Sequence, residues 1–370
     1  MSKPFQNLCL IMLIGLFLSV FISKTNQIEL LATKWMYPGI YHTIQKEEGK
    51  TFSKVCMEKL FPLYQYVEVQ KPNATEVEDG MTYELILSKE ANDENFLSED
   101  LETTNGTQEQ GITTSVSIEK LRDFNYLLSN FYTVDSTTTI GPEQLNVDDL
   151  LGRDMKIATN TKGPKVLIFH THSQEAFKDS VPGDSSTTIV GMGAYLAELL
   201  NEKGIETIHH TGVYDLIDGK LDRSKAYQMA EAGVKKILKQ YPSIEVVIDL
   251  HRDGVAETTH LVTNINGKQT AKIMFFNGLS RTKTNGDIAY LKNPYIQDNL
   301  AFSLQMQLQA KEMYGDFTRK IYLKGYRYSL HMMPKSLLVE AGAQTNTVKE
   351  TKNAMELLAN ILSEVLLYNV

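Results

Sequence analysis

Residues 244–253 read IEVVIDLHRD, an apolar run that ends in acidic, basic and imidazole side chains. Ile244–Leu250 has the length and the β-branched content of a buried strand. His251 follows that strand directly, with a carboxylate, Asp249, two residues before it and a guanidinium group, Arg252, directly after it. The stretch therefore predicts a buried strand whose end carries side chains able to bind a metal or transfer a proton.

On either side of this strand, apolar runs of strand length alternate with segments of helical periodicity. Gly204 and Pro242 each come just after a helical segment, where such residues commonly end a helix. Strands that alternate with helices favour an α/β fold with a mostly parallel sheet flanked by helices. The predicted strands are Val166–Phe169, Ile205–His209, Ile244–Leu250, Lys272–Phe276 and Ser336–Val339, and the predicted helices are Val190–Lys203, Arg223–Gln240, Tyr295–Tyr314 and Val348–Leu367.

Two other predicted strands also end in chemically active residues. Val166–Phe169 is followed by HTHSQE at residues 170–175, and Ser336–Val339 is followed by Glu340. Ligands bind beyond the carboxyl ends of the strands in open α/β sheets. We therefore expect these two strand ends to meet His251 at one edge of the sheet, and such a convergence favours an enzyme.

Histidine and glutamate are the metal ligands that this edge offers. His170 and His172 are two residues apart and face the same way if the strand continues, and Glu175 follows after a turn. With His251 they supply the two histidines and one glutamate of hydrolytic zinc sites, which keep a position open for water. Such a zinc ion acidifies its water and polarises a carbonyl. Glu340 is the carboxylate expected to take and return the proton.

Several of these residues have a second interpretation. Of His170 and His172, one can be the ligand while the other fixes a tautomer. Arg252 suits a substrate carboxylate, but with Asp253 it could also form a plain surface ion pair. Asp249 either orients the histidine two residues further on or only ends the strand.

The composition excludes several classes of protein. The net charge is −8, which argues against a nucleic-acid partner, because that binding depends on neutralising phosphates. The only cysteines are Cys9 and Cys56, too few for a disulfide scaffold or a zinc site built on cysteine pairs. The sequence has neither a glycine-rich phosphate loop nor a G-x-S-x-G nucleophile turn. Any metal must therefore be held by histidines and carboxylates.

An uncharged run, Leu8–Ser23, lies near the N-terminus between Lys3 and Lys24. It is a little shorter than the roughly 20 residues that cross a bilayer, and no A-x-A-like cleavage site follows it. Residues 1–27 are therefore predicted to be a transmembrane signal anchor, with a cleaved signal peptide or a buried helix as the alternatives. Either membrane interpretation places the rest of the chain outside the cytoplasm.

Charge and periodicity divide the remaining chain. Residues 28–74 are predicted to be a juxtamembrane helical region. Residues 75–116 are predicted to be an acidic flexible linker, because residues 68–109 carry twelve acidic and two basic side chains. A lead-in segment at 117–162 then reaches the predicted catalytic domain at 163–370.

Three motifs in combination resemble the stage II sporulation protein P family. They are VLIFHTHSQEAF at 166–177, VVIDLHRDG at 246–254 and HMMPKSLLVEAGAQTNT at 331–347, and FYTVDSTTTI at 131–140 agrees with them. The resemblance covers well over half of the chain. It implies a fold similar to zinc N-acetylmuramoyl-L-alanine amidases, and a membrane-anchored peptidoglycan hydrolase that acts in engulfment at the sporulation septum. It also implies stage II sporulation proteins D and M as partners.

The resemblance extends to individual residues. His172 (or His170) and His251 match the paired metal histidines of the family. Glu340, in LVEAG, matches the glutamate of the E-x-G motif of the wider amidase superfamily. The resemblance thus implies a zinc site with Glu340 as its catalytic partner.

One departure affects the third ligand. The wider superfamily begins with a Gly-His-Gly-Gly turn and takes its ligand glutamate from further along the chain. Here the turn reads His-Thr-His-Ser, and Glu175 comes three residues after the second histidine. Glu175 is therefore the expected third ligand, with Glu198 or Glu202 on the next helix as alternatives.

Three functions agree with these features. The first is a zinc amidase that cleaves the bond between N-acetylmuramic acid and the stem peptide. The second is an endopeptidase that uses the same metal on stem-peptide cross-links. The third is a membrane-tethered scaffold whose site is degenerate, because a fold alone does not fix a function.

Overall fold

A computed structural model describes residues 117–368 of the chain. The predicted anchor (1–27), juxtamembrane region (28–74) and acidic linker (75–116) lie outside the described residues. Within 117–368, every helix is too short or too polar to span a bilayer.

The described residues form a layered α/β structure around one main sheet. Its strands and those of three small hairpins, in chain order, are β1 (Tyr132–Val134), β2 (Val166–Phe169), β3 (Thr207–His209), β4 (Leu216–Ile217), β5 (Lys220–Leu221), β6 (Val246–Asp253), β7 (Val262–Ile265), β8 (Lys268–Ala271), β9 (Ile273–Gly278), β10 (Arg281–Thr282), β11 (Gly286–Asp287), β12 (Ile321–Lys324) and β13 (Lys335–Ala343).

The main sheet has the strand order β1-β12-β9-β13-β6-β2-β3. Its neighbours run parallel everywhere except between β13 and β9, which are antiparallel. The prediction of a mostly parallel sheet flanked by helices is therefore confirmed. The central strands β6 and β13 are buried along nearly their whole length, as expected for strands covered on both faces.

Helices cover both faces of the sheet. In chain order they are α1 (Ile118–Leu121), α2 (Phe124–Phe131), α3 (Val147–Gly152), α4 (Ile189–Glu202), α5 (Ala226–Gln240), α6 (Ile296–Tyr314) and α7 (Val348–Leu367). Helices α4, α6 and α7 enclose the larger apolar core, which we call the core face. Helix α5 packs on the opposite side, which we call the site face.

Alternation along β6 divides its side chains between these faces. Ile248 and Leu250 belong to the large apolar core. Val247 packs with α5 on the site face. Since successive side chains in a strand point to opposite faces, Asp249 and His251 share the face of Val247. The polar residues of β6 are therefore sorted away from the core.

The strands that carry candidate site residues are longer than predicted. Strand β6 continues through His251 to Asp253, and β13 continues through Glu340 to Ala343. The prediction that both residues follow their strands is therefore wrong in detail. Main-chain pairing between β6 and β13 extends the strands past the apolar residues, so both side chains have a fixed register.

Two strands of the main sheet were not predicted. Strand β12 joins the sheet between β9 and β1, and β1 lies within the lead-in segment 117–162. Helix α3 of that segment is also attached, since Gln305 Nε2 donates to the carbonyls of Leu150 and Arg153, each at 2.9 Å. The sheet therefore begins before residue 163.

Candidate functional site

Two histidines and a glutamate come together beyond the end of β2 and near the end of β6. One possible ligand atom from each of His172, Glu175 and His251 lies within 4.8 Å of the others. His172 Nδ1 is 3.7 Å from Glu175 Oε1, and His251 Nδ1 is 3.8 Å from Glu175 Oε2. All three side chains are at most 2% exposed. We call these three residues the His-Glu-His cluster.

The spacing of the His-Glu-His cluster suits a tetrahedral cation. Nitrogen and oxygen ligands bind zinc at about 2.0–2.2 Å, which places neighbouring ligand atoms roughly 3.3–3.6 Å apart. The two separations in the His-Glu-His cluster are a few tenths of an ångström longer. A buried carboxylate between two imidazoles is costly unless it is paired or binds a metal. The donor set and the burial therefore both fit a bound divalent cation.

The turn after β2 is held in place by two buried aspartates. Asp249 accepts hydrogen bonds from Thr171 N at 2.9 Å and Thr171 Oγ1 at 2.6 Å. Asp215 accepts from Ser173 Oγ at 2.8 Å and Gln174 N at 3.0 Å. These bonds fix the backbone on both sides of the first ligand of the cluster, so its position does not depend on a metal alone.

Asp249 also lies beside the second histidine. His251 Nε2 is 2.7 Å from Asp249 Oδ1. Burial would raise the pKa of Asp249, but the charge and hydrogen bonding of His251 and the neighbouring hydroxyls lower it overall. A carboxylate at Nε2 favours the tautomer with its proton there, which leaves Nδ1 to face Glu175. Of the two interpretations of Asp249, the geometry favours the one in which it orients His251.

Glu175 is surrounded by positive groups. Arg252 N donates to its Oε2 at 2.9 Å, and Arg223 Nη2 is 3.4 Å from its Oε1. Burial would raise the pKa of this carboxyl, yet His172, His251 and Arg252 outweigh it and lower the pKa well below its usual range. Glu175 is therefore held as a carboxylate, the form that binds a cation.

His170 does not join the cluster. Strand β2 ends at Phe169, so the chain turns and the two-residue alternation does not reach His172. His170 keeps the parity of the core face, where Nδ1 donates to Leu250 O at 2.7 Å and Nε2 is 2.9 Å from His209 Nε2. Burial, helped by nearby His209, lowers its pKa to about 3. The structure thus separates two histidines that the sequence left as alternatives.

Glu340 lies next to His251 across the sheet. The two residues are register partners on the parallel strands β13 and β6. Because aligned side chains on neighbouring strands point to the same face, Glu340 shares the site face with His251. It is 3% exposed. The structure therefore brings the expected catalytic carboxylate to the edge of the cluster.

The remaining candidates are not members of the cluster, although the backbone N–H of Arg252 contacts it. Arg252 uses its guanidinium on backbone carbonyls, with Nε on Ala176 O at 3.0 Å and Nη1 on Asp253 O at 3.2 Å. The Asp253 carboxylate pairs instead with Arg319 at 2.5 Å, so the alternative interpretation, a surface ion pair between Arg252 and Asp253, is wrong. Arg252 braces the turn that carries Glu175, and its predicted contact with substrate stays a prediction.

Glu198 and Glu202, the alternative ligands, are exposed on α4 and are outside the His-Glu-His cluster. Sequence reasoning missed three residues that contact the cluster or Asp249. Arg223 lies just before α5, and Tyr227 on α5 has its ring 5.7 Å from the ring of His172. Ser329 donates to Asp249 at 2.6 Å. These residues follow no strand end and have no motif, so only the tertiary structure identifies them.

Comparison with known proteins adds a family. A model of the family described as stage II sporulation protein P matches residues 36–363. A relative from Bacillus subtilis (strain 168), also described as stage II sporulation protein P, is 23% identical over 222 residues. That match covers 55% of this chain and 52% of the relative, so the match spans about half of the relative's length.

Two solved structures are also similar. N-acetylmuramoyl-L-alanine amidase AmiC2 of Nostoc punctiforme has a TM-score of 0.33 at 13% identity, over 56% of this chain and 97% of that one. An N-acetylmuramoyl-L-alanine amidase from Clostridium difficile 630 has a TM-score of 0.31 at 15% identity, over 55% and 95% of the two chains. Both TM-scores are below 0.5, and both sequence identities are below 25%.

Proposed function

The chain belongs to the stage II sporulation protein P family, and from that premise we propose that it is a peptidoglycan hydrolase of sporulation. The proposed substrate is peptidoglycan, and the bond that is cleaved is the amide bond between N-acetylmuramic acid and the stem peptide. The observation that supports a hydrolase most directly is the buried His-Glu-His cluster with a further carboxylate beside it. That arrangement has the ligand composition of hydrolytic zinc sites.

The cation proposed for the cluster is zinc, with His172, Glu175 and His251 as its ligands. When bound there, zinc would supply a Lewis acid and lower the pKa of a bound water. The cluster residues suit zinc because imidazole nitrogen and carboxylate oxygen are both among its usual ligands. Cysteine is not needed, in agreement with its scarcity in the chain.

Asp249, Glu340 and Arg252 have separate roles in the proposed reaction. Asp249 holds the His251 ring so that Nδ1 faces the cluster. Glu340 accepts a proton from the attacking water through its carboxylate and returns it to the departing amide nitrogen, so that the C–N bond breaks to a carboxylate and an amine. Arg252 N keeps Glu175 in place from behind. Glu340 is the residue proposed to be catalytic.

The location and partners are proposals of the same kind. Residues 1–27 are proposed to anchor the chain in the membrane, with the hydrolase outside the cytoplasm at the sporulation septum. Stage II sporulation proteins D and M are proposed as its partners, as the sequence resemblance implies. Protease accessibility of intact cells tests the orientation, and co-purification from sporulating cells tests the partners.

The test of the reaction uses the full chain with zinc on purified sacculi. The expected products, identified by mass spectrometry, are free stem peptides and peptide-free glycan with intact lactyl groups. Cross-linked muropeptides that are only separated into monomers would indicate an endopeptidase instead. A chain that binds zinc yet releases nothing would indicate a scaffold, or a need for a partner that can be added back.

The matched variants are His251→Ala and His260→Ala. Both remove an imidazole, but His260 is half-exposed and lies 2.9 Å from Glu350 Oε2, outside the His-Glu-His cluster. Release of stem peptides should stop in the first variant and continue in the second. Equal activity of the two variants would refute the proposed site.

A further inference from the structure

One hydroxyl group of the loop between β12 and β13, residues 325–334, contacts Asp249 beside the His-Glu-His cluster. Ser329 Oγ in this loop donates to Asp249 Oδ2 at 2.6 Å. The other oxygen of this carboxylate, Asp249 Oδ1, lies 2.7 Å from His251 Nε2. Ser329 and Asp249 are both nearly fully buried, so water does not compete for these contacts. A residue 78 positions from His251 in sequence, with no motif of its own, is therefore two contacts from a proposed ligand.

The backbone next to Ser329 is in an unusual conformation. Tyr328 has a φ of 52°, in the left-handed region that a bulky residue seldom adopts. Its ring is fully buried, 4.7 Å from the ring of Phe276 and 5.6 Å from that of Tyr227. Tyr227 in turn contacts the ring of His172. Such backbone conformations persist where the surrounding structure determines them, and they are frequent at functional sites.

The same loop is fastened to α5 on both sides of Ser329. Arg327 Nη2 is 3.0 Å from Glu231 Oε2, and His331 Nε2 is 3.2 Å from the same oxygen. One carboxylate on the helix therefore contacts the loop two residues before and two residues after Ser329. This arrangement limits how far the hydroxyl can move from Asp249.

We propose that Ser329 is a positioning residue of the metal site, which acts through Asp249 to fix the ring of His251. The inference rests on the proposed function, because it takes the His-Glu-His cluster as a zinc site. An Asp249 carboxylate held by Ser329 and Thr171 cannot rotate away from His251 Nε2. The imidazole then keeps Nδ1 directed at Glu175 before any metal binds.

The expected size of the effect follows from other metal sites. Loss of a group that orients a metal-bound histidine typically weakens metal binding by about 10–100-fold. Ser329 acts one contact further out than Asp249, so Ser329→Ala should weaken zinc binding by roughly 10-fold, the lower end of that range. Ser329→Thr keeps the hydroxyl and should stay within about threefold of the parent chain.

The control is Ser303→Ala on α6. Ser303 is also a buried serine that donates to a side-chain oxygen, Asn277 Oδ1 at 2.5 Å, but it packs under the core face. Its loss should affect folding much as Ser329→Ala does, without changing the metal site. The pair therefore separates positioning of the metal from general stability.

The experiment measures zinc affinity of the full chain by competition with a chromophoric chelator, and the visible spectrum of the cobalt(II)-substituted chain. The result expected is weaker zinc binding and an altered cobalt spectrum in Ser329→Ala, with neither change in Ser329→Thr or Ser303→Ala. Circular dichroism confirms that each variant is folded.

Equal zinc affinity in Ser329→Ala and Ser303→Ala would overturn the inference, and so would a threonine variant as weak as the alanine variant. A parent chain without stoichiometric zinc would overturn both this inference and the proposed zinc site. A parent chain that binds zinc but hydrolyses no peptidoglycan, with the difference between the serine variants intact, would overturn the proposed reaction alone.

Discussion

The core face and the site face are formed by the same strands, but the core face is apolar and the site face carries the polar residues of the candidate site. On β6, Ile248 and Leu250 lie in an apolar core, while Asp249 and His251 point to the other side. The two histidines after β2 are divided between the faces in the same way. His170 contacts a backbone carbonyl and His209, whereas His172 belongs to the His-Glu-His cluster. A difference of one or two residues thus decides whether a side chain supports the fold or the site.

The largest effect is expected from removing a ligand on the site face. His172→Ala should abolish stoichiometric zinc binding and lower the proposed amidase activity by roughly 10³-fold or more, since metal catalysis supplies several kcal/mol of transition-state stabilisation. Metal analysis of the purified chain and peptide release from sacculi are the measurements. Retention of a full equivalent of zinc would show that His172 is not a ligand.

Glu340→Gln should separate chemistry from metal binding. Positioned acid–base groups contribute about 10²–10⁴-fold, so activity should fall by that factor while zinc affinity stays close to that of the parent chain. The comparison of kcat with zinc stoichiometry in the same preparation is decisive. If activity survives the change, the proton is carried by another group and the role given to Glu340 is wrong.

On the core face, Leu250→Ala should cost stability instead. Burying a smaller side chain at this fully buried position leaves a cavity, and such changes cost about 2–5 kcal/mol. Zinc binding at saturating metal should persist. Leu221→Ala, at a leucine that is 61% exposed on the β4–β5 hairpin, is the control and should change stability by less than about 0.5 kcal/mol. Urea denaturation of the parent chain and both variants gives the values.

His170→Ala tests the division between the two histidines directly. It removes the donor to Leu250 O and the partner of His209, which should destabilise the fold by about 1–3 kcal/mol. Unlike His172→Ala, it should leave one equivalent of zinc bound. Loss of the metal in this variant, with the fold intact, would contradict the separation of the two faces.

Much of this architecture could be predicted from the sequence because each element carried a local signal. Val166–Phe169 is a continuous apolar run, and β2 spans those residues. Helix α7 also has the predicted bounds, and it begins with a capping box between Thr347 and Glu350. Strand β12 was missed because four residues, of which one is a lysine, give no periodicity to detect.

The candidate site was predicted only as far as strand ends allow. His251 and Glu340 were found because each follows an apolar run, although main-chain pairing in fact carries both strands through them. The choice between His170 and His172 needed the point at which β2 ends. Ser329 had no signal, since a serine in a ten-residue loop acquires its role only when the loop packs on Asp249.

The smallest effect concerns pH and the attachment of that loop to α5. Burial would raise the pKa of Glu231, but His331, Lys235 and Arg327 outweigh it and lower the pKa to about 2, from an ordinary value of 4.5. A lowered pKa means that the carboxylate stabilises the fold above pH 4.5, and that this contribution is lost as the pH falls toward 2.

Glu231→Gln should therefore lose less stability than the parent chain on acidification, by on the order of 1 kcal/mol for a partly exposed ion pair. The measurement is the urea midpoint of both chains at neutral pH and at a pH midway between the two pKa values. Parallel losses would mean that Glu231 does not fasten the loop. The partners of Glu231 all lie on α5 or in the loop. A loss of stability on acidification that is larger in the parent chain than in Glu231→Gln would therefore locate the acid sensitivity on the site face, opposite the apolar core.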